Sequence, residues 1–286
     1  MNLVSQSQSY RHPGQAFISR YGLVDSEIKV FQYVDFLRQE ARLSDFPPVG
    51  LEAIYQHFKM PTPLRAPLVD QQGILVNSDA GVILIKEDDP IVRQRFTEGH
   101  ELMELLFDAQ ERLSEGAKLP WNEQEKEKLC DRGAAELLMP QSSFIPQLQA
   151  SGMSLQTGCT LANLYQTSLL ATMLRMMQYG VGAYVLIMWH SALTRKEMQM
   201  SNKLGTSPQE KLRVWWSTRT QNWHCGFIPK NKSISQDSLI FKAHATGQAQ
   251  EGTETLDLGW GSFECRVEVM PVQIGDKNSV LSLLKF

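Results

Sequence analysis

Apolar positions recur at helical spacing in several stretches of the chain and at strand spacing in others. From Ser26, a plausible N-cap, residues Ile28, Phe31, Tyr33 or Val34, and Leu37 predict an amphipathic helix running to about Leu43. Pro47-Pro48 break the chain, a short helix is expected around Leu51 to Phe58, and Pro61, Pro63 and Pro67 enforce an extended connection. The β-rich runs Gly73 to Asn77 and Val82 to Lys86 flank Ser78-Asp79-Ala80-Gly81, the pattern of a hairpin closed by a turn. Val92 to about Leu106 places Phe96, His100, Met103 or Glu104, and Phe107 along one helical face. A second helical stretch spans about Asn122 to Met139, ended by Pro140, and a third, strongly apolar one spans Leu161 to Tyr179 before Gly180 and Gly182. The first two dozen residues are polar, are interrupted by Pro13 and Gly22, and carry no sustained period, so they are expected as a loosely held tail.

Beyond residue 180 the texture changes. Five of the six tryptophans fall there, and Phe263, Cys265, Val267 and Val269 alternate with Glu264, Arg266 and Glu268, the period of a half-buried antiparallel strand. Leu212, Val214 and Trp216 alternate in the same way, and a glycine-containing loop is expected near Gln248 to Gly261. The resulting division is a tail over residues 1–24, a largely helical domain over 25–180, and a β-rich accessory domain over 181–286. Aromatic side chains in a small β domain are expected in its core.

Length and composition narrow the class. The 286 residues suggest about two domains, and 42% hydrophobic with 21% charged residues is ordinary for a globular protein. With 28 basic and 31 acidic side chains the formal charge is −3, so no global basic field recommends nucleic acid or an anionic membrane. The longest apolar stretch, Val181 to Trp189, is far short of the roughly 18 residues of a membrane-spanning helix. The first residues lack the basic patch and apolar run of a secretory signal, and a cytoplasmic location is expected. Cys130, Cys159, Cys225 and Cys265 form no Cys-x-x-Cys pair, which speaks against a disulfide framework or a thiolate zinc site; they are expected as buried or idle thiols.

The chemistry concentrates in Arg95-Phe-Thr-Glu-Gly-His100-Glu101-Leu-Met-Glu104. Positions i and i+4 of a helix share a face, so His100 and Glu104 can reach one cation while Glu101, one step round, addresses a metal-bound water. This is the geometry of the His-Glu-x-x-His zincin helix, whose Glu is the general base, except that the second ligand is Glu104. One imidazole with two carboxylates is a harder donor set, so Mn2+ or another divalent ion stands beside Zn2+. The second helix offers Glu127 as a third ligand and, one turn on, Asp131, which can accept the remaining ring N–H of His100. Glu98 is given no role.

These strings resemble the ImmA/IrrE metallopeptidase family. The matching residues are Arg95-Phe96-Thr97 leading into His100-Glu101-Leu102, then Glu127-x-x-Cys130-Asp131-x-x-Ala134-Ala135-Glu136-Leu137-Leu138-Met139-Pro140, with Leu161-Ala162 through Ser168, Ala171 and Arg175 similar to the helical element after the peptidase core. The resemblance covers about residues 50–180. It implies a minimal zincin-like α+β unit and cytoplasmic, metal-dependent cleavage of a partner protein, often a helix-turn-helix repressor. Family members carry His where this chain has Glu104.

Other readings compete. A solvated helix face can carry such acids by chance, and Asp131 could pair with Arg132 or Lys128. Glu104 and the unassigned last hundred residues also suit a regulatory or protein-binding module that kept the fold without catalysis. Residues 161–171 resemble a helix-turn-helix, but Arg175 is the only basic residue between Ser151 and Gly180, which argues against a reader of duplex DNA. His57, His190, His224 and His244 lack metal spacing to one another.

Overall fold

A computed structural model describes residues 9–114, 120–204, 209–224, 226–259 and 261–286. In chain order the helices and strands begin with α1 (Pro13–Tyr21), α2 (Glu27–Glu40), α3 (Glu52–Phe58), β1 (Leu64–Ala66), β2 (Gly73–Asn77), β3 (Val82–Lys86), α4 (Ile91–Leu113) and α5 (Glu123–Leu138). They continue with α6 (Gln141–Ser151), α7 (Leu155–Tyr165), α8 (Leu169–Tyr179), β4 (Tyr184–Ala192), α9 (Arg195–Leu204), β5 (Lys211–Arg219), α10 (Leu239–Thr246), β6 (Gln250–Asp257), β7 (Ser262–Ile274) and β8 (Lys277–Lys285). The class is α+β with a β-rich C-terminal region. Contacts divide the chain into one unit of residues up to 147 with 162–168, and another of residues 148–161 with 169–286.

In the first unit α4 is the central element. Its apolar face buries Leu102, Met103, Leu105, Leu106, Phe107 and Ala109, together contributing many kcal/mol at about 25 cal/mol per Å2 of apolar surface removed from water. The expected hairpin forms as β2 and β3, and β1 adds in parallel to β3, so the strand order is β1-β3-β2 with a bulge between Leu75 and Asn77. β2 is therefore an edge strand, and it packs beside α4. The α5 helix starts on a capping box, Asn122 accepting from the Glu125 N–H while the Glu125 carboxylate accepts from the Asn122 N–H. Small residues bring α4 and α5 together: a Cβ on Gly99 would lie 3.3 Å from the Ala134 Cβ, and one on Gly133 would lie 2.5 Å from the Met103 sulfur.

The polar tail is a correction. Residues 13–21 form α1, which buries Phe17 and Ile18 and crosses α4 so closely that a Cβ on Gly14 would sit 2.2 Å from the Leu105 carbonyl oxygen. The Gln110 side chain then clamps Val24, accepting its N–H at 2.5 Å and donating to its carbonyl at 2.7 Å. A single apolar turn is too short for periodicity to register. On α2 the buried residues are Val30, Tyr33, Val34, Phe36 and Leu37, while Ile28 is exposed.

The second unit is built on an antiparallel sheet of order β5-β4-β8-β7-β6. The apolar run at Val181 to Trp189 supplies β4, a central strand whose residues Tyr184 to Trp189 are all buried. Trp189 and Trp223 are core residues. Two expectations are corrected. The single helix at 161–179 is two helices, α7 and α8, separated at Gln166, whose φ of +53° interrupts the helical path. The loop expected near 248–261 is largely strand β6, an edge strand paired with β7 from Gln250↔Val269 to Asp257↔Ser262, on which Glu251, Thr253, Thr255 and Asp257 face outward. Cys130, Cys159 and Cys265 are free thiols, and Cys225 lies outside the described residues. No described helix is long and apolar enough to cross a membrane.

Candidate metal centre

The spacing on α4 and α5 brings the expected side chains into one cleft of about 500 Å3 between the two helices and β2. The hydrogen bond that fixes His100 comes from α5: ring Nδ1 lies 3.0 Å from Asp131 Oδ1. An ionised carboxylate only accepts, so Nδ1 carries the proton and Nε2 turns into the cleft. There Nε2 lies 3.5 Å from Glu127 Oε2 and 3.9 Å from Glu104 Oε1. Arg132, the competitor for Asp131, instead pairs with Glu27 at 2.6 Å.

Glu101 lies on the same helix under β2. Leu75 of that strand hydrogen-bonds to it through its backbone, and a Cβ on Gly73 would stand 2.6 Å from Glu101 Oε1. A larger residue there would have to displace the Glu101 carboxylate and the Thr97 methyl, which lies nearer still. Burial pushes the Glu101 carboxyl up to about 7; the His100 charge opposes this, and Glu104 and Glu127 reinforce it. Burial pulls the His100 imidazole down, but its bond to Asp131 and the acids around it more than offset this, and the net direction is up.

Two residues of α5 that carried no assignment also enter the cluster. The Lys126 ammonium lies 3.1 Å from Glu104 Oε2, 3.4 Å from Glu123 and 3.8 Å from Glu111. Burial lowers its pKa, but these carboxylates dominate and raise it. The Cys130 thiol donates to Glu104 Oε1 at 3.3 Å, and burial followed by the Glu104 charge pushes its pKa up. Cys130 lies three residues after Glu127 and so shares its face, whereas Lys126, one step before Glu127, lies one turn before Cys130 and reaches Glu104 from there. Glu98, given no role, is buried where the Arg65 guanidinium and the Tyr55 hydroxyl reach it.

The donor chemistry fits a divalent cation. Ligands bound at about 2.0–2.2 Å in a tetrahedral site stand roughly 3.3–3.6 Å apart, close to the His100–Glu127 separation. His100, Glu104 and Cys130 each offer one donor atom, all within 4.8 Å of one another. The bond from Asp131 supplies the outer support that ligating histidines require.

Residues 60–177 match the model of the IrrE N-terminal-like domain, Peptidase_M78. A solved Mycobacterium tuberculosis transcriptional regulator is similar at 9% identity over 96% of this chain and 80% of that chain, with a TM-score of 0.58. At that identity the likeness speaks for the fold alone. No curated protein matches the chain.

Proposed function

Taking residues 60–177 as the ImmA/IrrE-family domain that they match, we propose that the protein is a metal-dependent endopeptidase acting in the cytoplasm on a partner protein, a helix-turn-helix repressor. The observation that carries this reading is the pairing of an Asp131-anchored His100, its Nε2 facing two carboxylates, with a buried Glu101 beside it. His100 and Glu104 would hold the cation, Zn2+ before Mn2+, with Glu127 the residue on α5 that the spacing names as third ligand. When bound, such an ion polarises a carbonyl and lowers the pKa of water. Asp131 retains the Nδ1 proton and keeps Nε2 directed into the cleft. Glu101 takes a proton from the attacking water onto its carboxylate and delivers it to the leaving amine, and a carboxyl tuned towards neutrality suits both transfers.

Zn2+-loaded parent and Glu101→Gln proteins, each incubated with a bacterial cell extract, test this through the new protein N-termini found by mass spectrometry. The expected result is a small set of cuts made by the parent alone, weakened about 100- to 10,000-fold in the variant, with equal metal content in both. Equal cutting by the two proteins would refute the assignment.

A second reading, a regulatory module without turnover, is favoured by the Lys126–Glu104 ion pair, in which an ammonium already neutralises the carboxylate that replaces the usual imidazole. It predicts little bound metal in protein purified without chelator, or metal bound without hydrolysis, and elemental analysis of such protein beside the cleavage assay decides it.

A further inference from the structure

Glu104 hardens the donor set, yet the residue whose sulfur stands against it is soft. Cys130 lies three residues after Glu127 on α5, is buried, and directs its thiol at Glu104 Oε1 from 3.3 Å. His100, Glu104 and Cys130 each bring one donor atom within 4.8 Å of the other two. Lys126 holds the other oxygen, Oε2, at 3.1 Å, which leaves Oε1 for the site. The Glu127 side chain is 59% exposed, at the solvent side of the same group. We propose that Cys130 is a metal ligand in this chain, completing a His100–Glu104–Cys130 set at the buried end of the cleft and leaving Glu127 at its mouth. This rests on the metal-site reading for His100 and Glu104 and departs from it at the third position.

The chemistry is self-consistent. On binding, the sulfur–metal bond forms as the thiol proton leaves to solvent, because a coordinating thiol is deprotonated outright. Thiolate with imidazole selects Zn2+ or Co2+ over Mn2+ and Mg2+, a sharper discrimination than two carboxylates would give. Three protein donors leave a fourth position open, as in sites with Cys and His ligands that bind a water.

Titration of the purified full chain with Co2+ tests the proposal, since thiolate ligation gives a sulfur-to-cobalt charge-transfer absorption. The expected result is that band in the parent and in Glu127→Gln, its complete loss in Cys130→Ser, and competition by Zn2+ but not by Mn2+. Should serine destabilise the buried helix face, Cys130→Ala removes the sulfur without adding a buried hydroxyl, and the same loss is expected. Co2+ bound without the band, retained by the Cys130 variants and lost from Glu127→Gln, would overturn this inference and leave the peptidase reading standing. Failure of the parent to bind Co2+ or Zn2+ at all would overturn both.

Discussion

Glu98 and Glu101 lie one turn apart on α4 and are 8% and 6% exposed, yet their surroundings treat them in opposite ways. Glu98 meets the Arg65 guanidinium, carried by β1, and accepts the Tyr55 hydroxyl of α3 at 3.1 Å. Glu101 meets the other edge of the same small sheet, where β2 offers a glycine and a backbone hydrogen bond at Leu75 in place of a cation. A buried charge is tolerated when paired, and at Glu101 burial outweighs the opposing His100 charge, so its carboxyl holds its proton to higher pH. Burial alone therefore does not mark the reactive acid. What marks it is the strand edge that brings no positive side chain.

The largest expected consequence lies in the pH dependence of stability. In chelator-treated protein Glu101 titrates near 7 when folded, against an ordinary value of 4.5. Its contribution to stability is thus fully present below about 4.5 and is lost as pH rises through about 7. At 1.36 kcal/mol per pH unit the loss is on the order of 3 kcal/mol. Urea unfolding of parent and Glu101→Gln between about pH 5 and pH 8 reads it, because glutamine cannot titrate, and the difference between the curves is that of Glu101 together with its coupling to His100. Parallel curves would show that burial does not raise the Glu101 carboxyl.

Glu98→Gln probes the other side. It leaves the Arg65 guanidinium without its carboxylate and should cost about 2 kcal/mol, held below the figure for a fully buried pair because Arg65 is partly open to solvent. The pH-dependent difference assigned to Glu101 should persist in this background. Its disappearance would mean that the two acids form one coupled cluster.

This contrast is the part of the site least legible in sequence. His100, Glu104, Glu127 and Asp131 follow from helical spacing within two segments; the three acids stand around His100, but the donors that lie within 4.8 Å of one another are those of His100, Glu104 and Cys130. Which glutamate of α4 acquires a cation depends on Arg65 and Gly73, placed by sheet pairing more than 25 residues away in sequence from their carboxylates. Periodicity carries no record of that pairing. Cys130 shares a helix face with Glu127 at i+3, but an isolated cysteine does not belong to the zincin pattern and is expected as a buried or idle thiol; Lys126, adjacent to Glu127, is not picked out by that spacing. In the fold, hairpin and site helices were readable because their periods run for several residues, whereas α1 has one buried turn, and the break between α7 and α8 hangs on a single positive-φ residue, Gln166.

Tyr55→Phe gives the smallest effect and the finest test. The hydroxyl donates to Glu98 Oε2 at 3.1 Å within the core, and burial together with the Glu98 charge holds its proton well above the usual phenol range. Removing it keeps the ring packing and leaves Arg65 on the other carboxylate oxygen, so urea unfolding should show a loss of about 1 kcal/mol. Unchanged stability in Tyr55→Phe would mean that the guanidinium alone holds Glu98 in place and that the phenol bond adds nothing to it.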